Sequence, residues 1–237
     1  MFTPIGYIET PGDDAGFLYQ DITIALEPEG TINNGQPTLH AFCISALGIQ
    51  EGEVIAHVGA GTGYYTALLS KMTGPTGSIH AYEIEYRLAE RARRNLEDLT
   101  NTAVHSCSGS DTRLPDCDVI YVNAGATSPV RSWIDALLIG GRLLFPLTGA
   151  HNHGAMLLIK RTSADQFEAR FLCRAAFIPC MGARDERLEQ SLSAAFQSKD
   201  IASVRSLHLN TPPDDSCWFA GPNWWLSMAS GGTANEG

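Results

Sequence analysis

The sequence contains no basic run, no C-x-x-C pair and no apolar run approaching the roughly 20 residues needed to cross a bilayer. Its net charge is −10, which opposes nonspecific binding to nucleic acid or to an anionic lipid surface, so neither is expected as a partner. The first residues, Met1 to Ile5, offer neither a basic nor a long apolar region, so no secretory signal is read there and the expected compartment is the cytoplasm. Cys43, Cys107, Cys117, Cys173, Cys180 and Cys217 then read as reduced, mostly buried thiols. No Gly-Lys-Ser/Thr follows the glycine-rich stretch, which excludes a P-loop, and no G-x-S-x-G elbow exists for a serine hydrolase.

What remains is an ordinary globular composition, 44% hydrophobic and 18% charged over 237 residues, enough for one large α/β domain. The stretch around which the chain is organised runs from Val54 to Leu69. Val54 to Val58 is an apolar, strand-like run that ends in Gly59, Gly61 and Gly63, and a helix-like segment follows from Tyr64. A strand turning sharply into a helix points backbone N–H groups at a pocket, and glycines let a ligand approach the backbone. A dinucleotide fingerprint would require glycine where Tyr64 or Thr66 stands. Glu83 closes a second strand-like run, Ser78 to Tyr82, where a carboxylate can accept the hydroxyls of a ribose. Together they indicate an adenosyl ligand.

Along the chain, Phe17 to Ile24 reads as a short strand, and Thr31 to Pro37 as a loop. A short helix opens at Thr38. From Glu53, strands and helices alternate: a helix from Ile84 to Leu99, a weak strand Ala103 to Ser108, a buried strand Asp118 to Val122, a helix Trp133 to Leu138, and a turn at Ile139 to Gly141 into another strand. The arginines of the 84–99 helix read as a solvated face. This alternation implies α/β architecture with a doubly wound, Rossmann-like parallel sheet, with Gly59, Glu83, Gly109 and Asn123 at the carboxyl ends of its strands. Ala155 to Lys160 and Phe167 to Phe177, joined by a tight connection, read as an antiparallel pair at the sheet edge. A helix over Arg187 to Phe196 and a last strand over Ile201 to Leu209 follow. The domain is expected to span 1–226, with a cap and acceptor loop over 1–50, a cofactor core over 51–150, C-terminal strands and helix over 151–226, and a frayed tail over 227–237. Trp218, Trp224 and Trp225 either cover an acceptor cleft or plug the core. His151 and His153 have the spacing of a metal pair without further ligands, and no metal site is assigned.

Gly59-Ala60-Gly61-Thr62-Gly63-Tyr64, Ala81-Tyr82-Glu83, Asp118 to Ala124 and Leu138 to Leu147, with Thr31-Ile32, Pro37 and His40 upstream, resemble the protein-L-isoaspartate O-methyltransferases over roughly residues 18–149. The resemblance implies a class I methyltransferase fold that binds S-adenosylmethionine. The positions it carries over to the cofactor are His40, Gly59, Ala60, Gly61, Gly63, Tyr64, Glu83, Ile84, Ser110, Asp111 and Asn123, and His57 is open between a cofactor contact and a satisfied core histidine. It also implies methyl esterification of a peptide or protein carboxylate. Asn33 stands where the family has serine, His57 where it has an acid, and Gly109-Ser110-Asp111 where it has Gly-Asp-Gly.

A carboxylate is ionised at neutral pH and needs no general base, so hydrogen-bond donors are expected at the acceptor site; Asn33 or Asn34 is the candidate for that role. A non-catalytic adenosyl-binding homologue, a methyltransferase acting on a different acceptor and an NAD-linked enzyme are the alternative readings, the last opposed by Tyr64.

Overall fold

The computed structural model describes residues 7–10, 14–27 and 30–231. Its centre is a ten-stranded sheet in the order β3-β2-β1-β4-β5-β6-β7-β8-β10-β9. The parallel half holds β1 (Val54–Val58), β2 (Ser78–Tyr82), β3 (Thr102–His105), β4 (Cys117–Val122) and β5 (Leu137–Thr148). Between them lie α2 (Tyr64–Thr73), α3 (Tyr86–Asn95) and α4 (Arg131–Ala136), and α1 (Pro37–Leu47) precedes β1. The remaining strands pair antiparallel: β6 (His153–Arg161), β7 (Phe167–Ala176), β8 (Ser206–Leu209), β9 (Cys217–Ala220) and β10 (Trp224–Ser227), with α5 (Glu186–Ser198) between β7 and β8.

The apolar runs read as strands because both faces are covered. In β4, Val119 and Tyr121 face the layer of α1 and α2, where Cys43, Ile44, Leu47, Tyr65 and Leu69 are buried, while Ile120 and Val122 face Trp133, Leu192 and Phe196 on the other side. α1 begins where the sequence allows: Pro37 occupies the first turn, and Asp21 Oδ1 accepts from Thr38 N at 2.8 Å. That amide is the largest cause of the lowered pKa of Asp21. The helix stops at Gly48, which is left-handed at φ 57°.

The α/β sheet and its antiparallel C-terminal strands match the expectation, but several local readings differ. Phe17 to Ile24 contains no strand; Ala15–Tyr19 is a 3-10 turn started by Asp14, whose carboxylate accepts from Gly16 N. The helix expected over Ile84 to Leu99 occupies only Tyr86–Asn95, and that expected from Trp133 to Leu138 gives way to β5 at Leu137. The Ile139 to Gly141 turn is a bulge inside β5: Cys117 pairs with Leu137 and Val119 with Arg142, with Gly140 at φ 88° between them. The arginine face of α3 is only partly solvated, since Arg93 donates to Val104 O and Arg91 to Tyr7 O.

The β6–β7 pair is interior rather than at the edge, because β8, β10 and β9 extend the sheet beyond it. Ile201–Ser203 is a 3-10 turn, so the expected strand is confined to Ser206–Leu209. The tryptophans settle on the core: Trp218 is fully buried against Phe171 and Phe196, and Trp225 stacks on His208. Of the tail, Ser227 is the last residue of β10, and 232–237 lie outside the described residues.

Candidate active site

At the carboxyl ends of the parallel strands lies a cavity of about 750 Å³. Its floor is the β1–α2 turn. Gly59, Gly61 and Gly63 have φ of 76°, 56° and 91°, a region that side-chain-bearing residues rarely occupy. Four amides of the turn are bonded within the protein rather than free for a ligand. Gly59 N and Ala60 N both donate to Tyr82 O, Gly63 N donates to Ala60 O, and Gly61 N donates to Glu83 Oε2 at 2.7 Å. The glycines therefore supply room and shape, while their amides hold the turn together.

Glu83, at the tip of β2, is 6% exposed. Burial raises its carboxyl pKa, and the N–H groups of Glu85 and Gly61 oppose that rise. Gly61 N reaches one carboxylate oxygen and Glu85 N the other, leaving acceptor capacity on both for a pair of ribose hydroxyls. Cys107, Ser108 and Gly109 continue the wall on that side.

Two buried histidines sit beneath the cavity. His57, on β1, is fully buried, and its Nδ1 lies 2.8 Å from Thr66 Oγ1 and its Nε2 2.7 Å from Asn123 Nδ2. His40, on α1, stacks on Tyr65 with ring centroids 3.9 Å apart, and its Nδ1 lies 2.7 Å from Tyr121 Oη. Burial holds both imidazoles down at about 3, so both are neutral at physiological pH. Asn123 Oδ1 and Tyr65 Oη are buried without a hydrogen-bond partner among the described residues. A buried unpaired acceptor costs about 1–3 kcal/mol, so Asn123 suits a ligand that donates.

The opposite wall is the 31–36 loop. Asn33 Oδ1 accepts from Gly35 N at 2.9 Å, and Asn34 Oδ1 accepts from Ile24 N at 2.5 Å, so both carboxamide oxygens shape the loop. Their Nδ2 groups make no hydrogen bond among the described residues, and both residues line the cavity. Gly35 is required there: its φ is 67°, and a Cβ would lie 2.0 Å from His40 Nε2.

Of the predicted site residues, Asn33, Asn34, His40, Gly59, Ala60, Gly61, Tyr64, Glu83, Ile84 and Asn123 all line the cavity. His57 lies under it and reaches it through Asn123. Gly63 caps α2 against Leu96. Ser110 and Asp111 do not line the cavity themselves: Ser110 Oγ donates at 2.7 Å to the carbonyl of Met181, which does, and Asp111 packs against Gly182. His151 and His153 lie in and after a 3-10 turn, and no cluster of three metal-ligating side chains exists among the described residues.

The sequence reading missed the wall from Arg174 to Met181. β6 reverses the chain and β7 reverses it again, so the end of β7 returns to the edge that carries the tips of β1 and β4. The segment is pinned there by Gly125 N donating to Ile178 O and Cys180 N donating to Gly125 O. No residue motif marks it. The double reversal was readable from the two strands and the tight turn between them.

The geometry fits an adenosyl ligand: a carboxylate for the ribose, a glycine turn to pass over, and an unpaired acceptor beyond it. Comparison with known proteins agrees. The chain is 31% identical over 176 residues to a protein-L-isoaspartate O-methyltransferase from Methanothermobacter thermautotrophicus, covering 73% of this chain and 80% of the relative. It is 32% identical over 180 residues to the Roseiflexus sp. protein of the same name, covering 73% and 78%. The fold superposes on a solved protein-L-isoaspartate O-methyltransferase with a TM-score of 0.68 at 22% identity, over 86% of this chain and 65% of that one. It also superposes on a Plasmodium falciparum protein-L-isoaspartate O-methyltransferase in complex with S-adenosyl-L-homocysteine, with a TM-score of 0.64 at 17% identity, over 74% and 84%. The family model for protein-L-isoaspartate(D-aspartate) O-methyltransferase matches residues 12–185, a span that includes the wall after β7, and the chain belongs to that family.

Proposed function

We propose that this protein transfers the methyl group of S-adenosylmethionine to the free carboxylate of an isoaspartyl residue in a peptide or protein. The observation that carries this reading is one cavity bounded on one side by the glycine turn and Glu83 and on the other by the Asn33–Asn34 loop, in a chain of this family. When bound, S-adenosylmethionine supplies an electrophilic methyl on a sulfonium.

The chain's own task is to align and to dry. Glu83 holds the ribose, and the Gly59 turn lets the ligand lie against the backbone. The acceptor carboxylate is ionised, so no side chain has to remove a proton. Asn33 Nδ2 donates to one carboxylate oxygen and leaves the other in line with the methyl. Its orientation is set by the bond from Gly35 N to its own Oδ1. Leu26, Ile32, Leu39 and Phe177 exclude water around the reacting atoms. Neutral His40 forms a wall stacked on Tyr65 rather than a base. Six thiols, none in a disulfide, support the reducing cytoplasm as the place of action.

The test incubates the protein with methyl-labelled cofactor and a peptide pair differing only in an isoaspartyl or an aspartyl residue. Base-labile label is expected in the isoaspartyl peptide alone; label in neither overturns the reading. Asn33→Ala is expected to lower turnover about tenfold, the loss of a hydrogen bond to a charged group, with cofactor affinity unchanged. Parental turnover in that variant would remove Asn33 from the acceptor site.

A further inference from the structure

The amides of Gly59, Ala60, Gly61 and Gly63 are bonded within the protein, so a side chain beside the turn is the candidate for recognising the charged end of the ligand. Glu83 stands beyond β2 on one side of β1, and Asn123 stands beyond β4 on the other. A nucleoside held by its ribose at Glu83, with its base toward Cys107 to Gly109, sends its amino-acid arm over Gly59 toward Asn123. Gly59 lies along that path, beside the Asn123 backbone, with a φ of 76° that side-chain-bearing residues rarely adopt.

The Asn123 carboxamide is not free to choose its orientation. Nδ2 is 2.7 Å from His57 Nε2, and His57 Nδ1 is 2.8 Å from Thr66 Oγ1. His57 and Thr66 are both 0% exposed, and Asn123 Oδ1 has no partner. We infer that Thr66 and His57 are positioning residues that fix the Asn123 carboxamide with its oxygen as a neutral acceptor for the ammonium of the cofactor's amino-acid arm. This rests on the cofactor assignment above and goes beyond it, because it gives a job to the histidine that stands where the family pattern has an acid.

The direction is set at Asn123: its Nδ2 can only donate, so the Nε2 lone pair accepts from it, and Nδ1 then carries the proton toward Thr66 Oγ1, a hydroxyl able to accept it. A carboxamide turned over would set its oxygen against that lone pair and its NH₂ against the ammonium. Burial keeps His57 uncharged, so the relay adds no positive charge beside a ligand that already carries a sulfonium and an ammonium.

The test is calorimetric titration of the full chain with S-adenosylhomocysteine and with 5′-methylthioadenosine, which has the nucleoside and sulfur but no amino-acid arm. Asn123→Leu is expected to weaken S-adenosylhomocysteine at least tenfold and to leave 5′-methylthioadenosine within twofold. Asn123→Asp, which keeps an acceptor, is expected to retain S-adenosylhomocysteine. His57→Leu is expected to show the same selective loss and to add nothing in the Asn123→Leu background, while His57→Gln, whose carbonyl can accept from Nδ2, restores affinity. If His57→Leu does not fold by circular dichroism, the two Asn123 variants and His57→Gln decide the matter. Equal weakening of both ligands by Asn123→Leu, or no weakening, overturns the inference. A parent chain that binds neither ligand overturns the cofactor assignment instead.

Discussion

The two halves of the sheet are built from the same hydrogen bonds and divide the work. The parallel half carries Gly59, Glu83, Gly109 and Asn123 at its strand tips and buries a polar network under them, through His57, Thr66, His40 and Tyr121. The antiparallel half buries Phe171, Phe196, Trp218, Phe219 and Trp224 against one another. Parallel strands need long crossovers, which place strand tips and helix starts together at one edge and make a cleft there. Antiparallel neighbours close with short turns and leave little but packing. Among the described residues, the antiparallel half reaches the cleft through the end of β7 and the segment that follows it, which the double reversal returns to the functional edge. Function and stability are thereby largely separated along one sheet.

The largest expected effect tests that separation from the antiparallel side. Trp218→Ala removes a fully buried indole and should cost about 3–5 kcal/mol in urea denaturation. S-adenosylhomocysteine affinity of the folded fraction should stay at the parental value; a parallel loss of affinity would show that the halves are coupled. Next, Glu83→Gln replaces a charged acceptor by a neutral one of the same shape. It should weaken S-adenosylhomocysteine about 10- to 100-fold, corresponding to about 1.5–3 kcal/mol, with little change in the urea midpoint, because the carboxylate's charge is already disfavoured by burial.

The smallest effect concerns acid. His40 and His57 sit at about 3 when folded, below the ordinary histidine value of 6.5. The unfolded chain therefore binds more protons below that value, so stability is full above it and falls as pH drops toward 3. Between pH 6.5 and 5.5 each histidine should remove about 1 kcal/mol, visible in denaturation midpoints. His57→Gln should reduce that sensitivity. His208, in the antiparallel half, is only partly buried and its pKa is also lowered, mainly by desolvation, so His208→Gln should change the acid response less. An equal change would erase the contrast between the halves.

The parallel half was legible in the chain because its signals are local. Val54 to Val58, Ser78 to Tyr82 and Asp118 to Val122 are apolar runs bounded by turn residues, and each lies on a strand. Ten of the fourteen residues proposed for the site line the cavity, and seven of those ten, Gly59, Ala60, Gly61, Tyr64, Glu83, Ile84 and Asn123, follow those strands closely. The antiparallel half was less legible. Cys217–Ala220 and Trp224–Ser227 are too short to show a period, and their tryptophans suit a cleft and a core equally well. Ser110 and Asp111 were carried to the adenine by resemblance; Ser110 Oγ bonds to the carbonyl of Met181, a wall residue 71 positions away that no local pattern would pair with it.

Periodicity and glycine spacing settled the strand–turn–helix unit and the ligand class, because an alternation of two and a backbone without side chains are properties of neighbouring residues. Three matters depended on chain segments distant in sequence. The amides of Gly59, Ala60 and Gly61 bond to Tyr82 and Glu83 rather than standing free. His57 is tied to Thr66 and Asn123. The wall after β7 closes the cavity. The first two follow from which elements lie side by side, a relation that no local pattern of residues encodes, whereas the third was implicit in the reversal from β6 to β7.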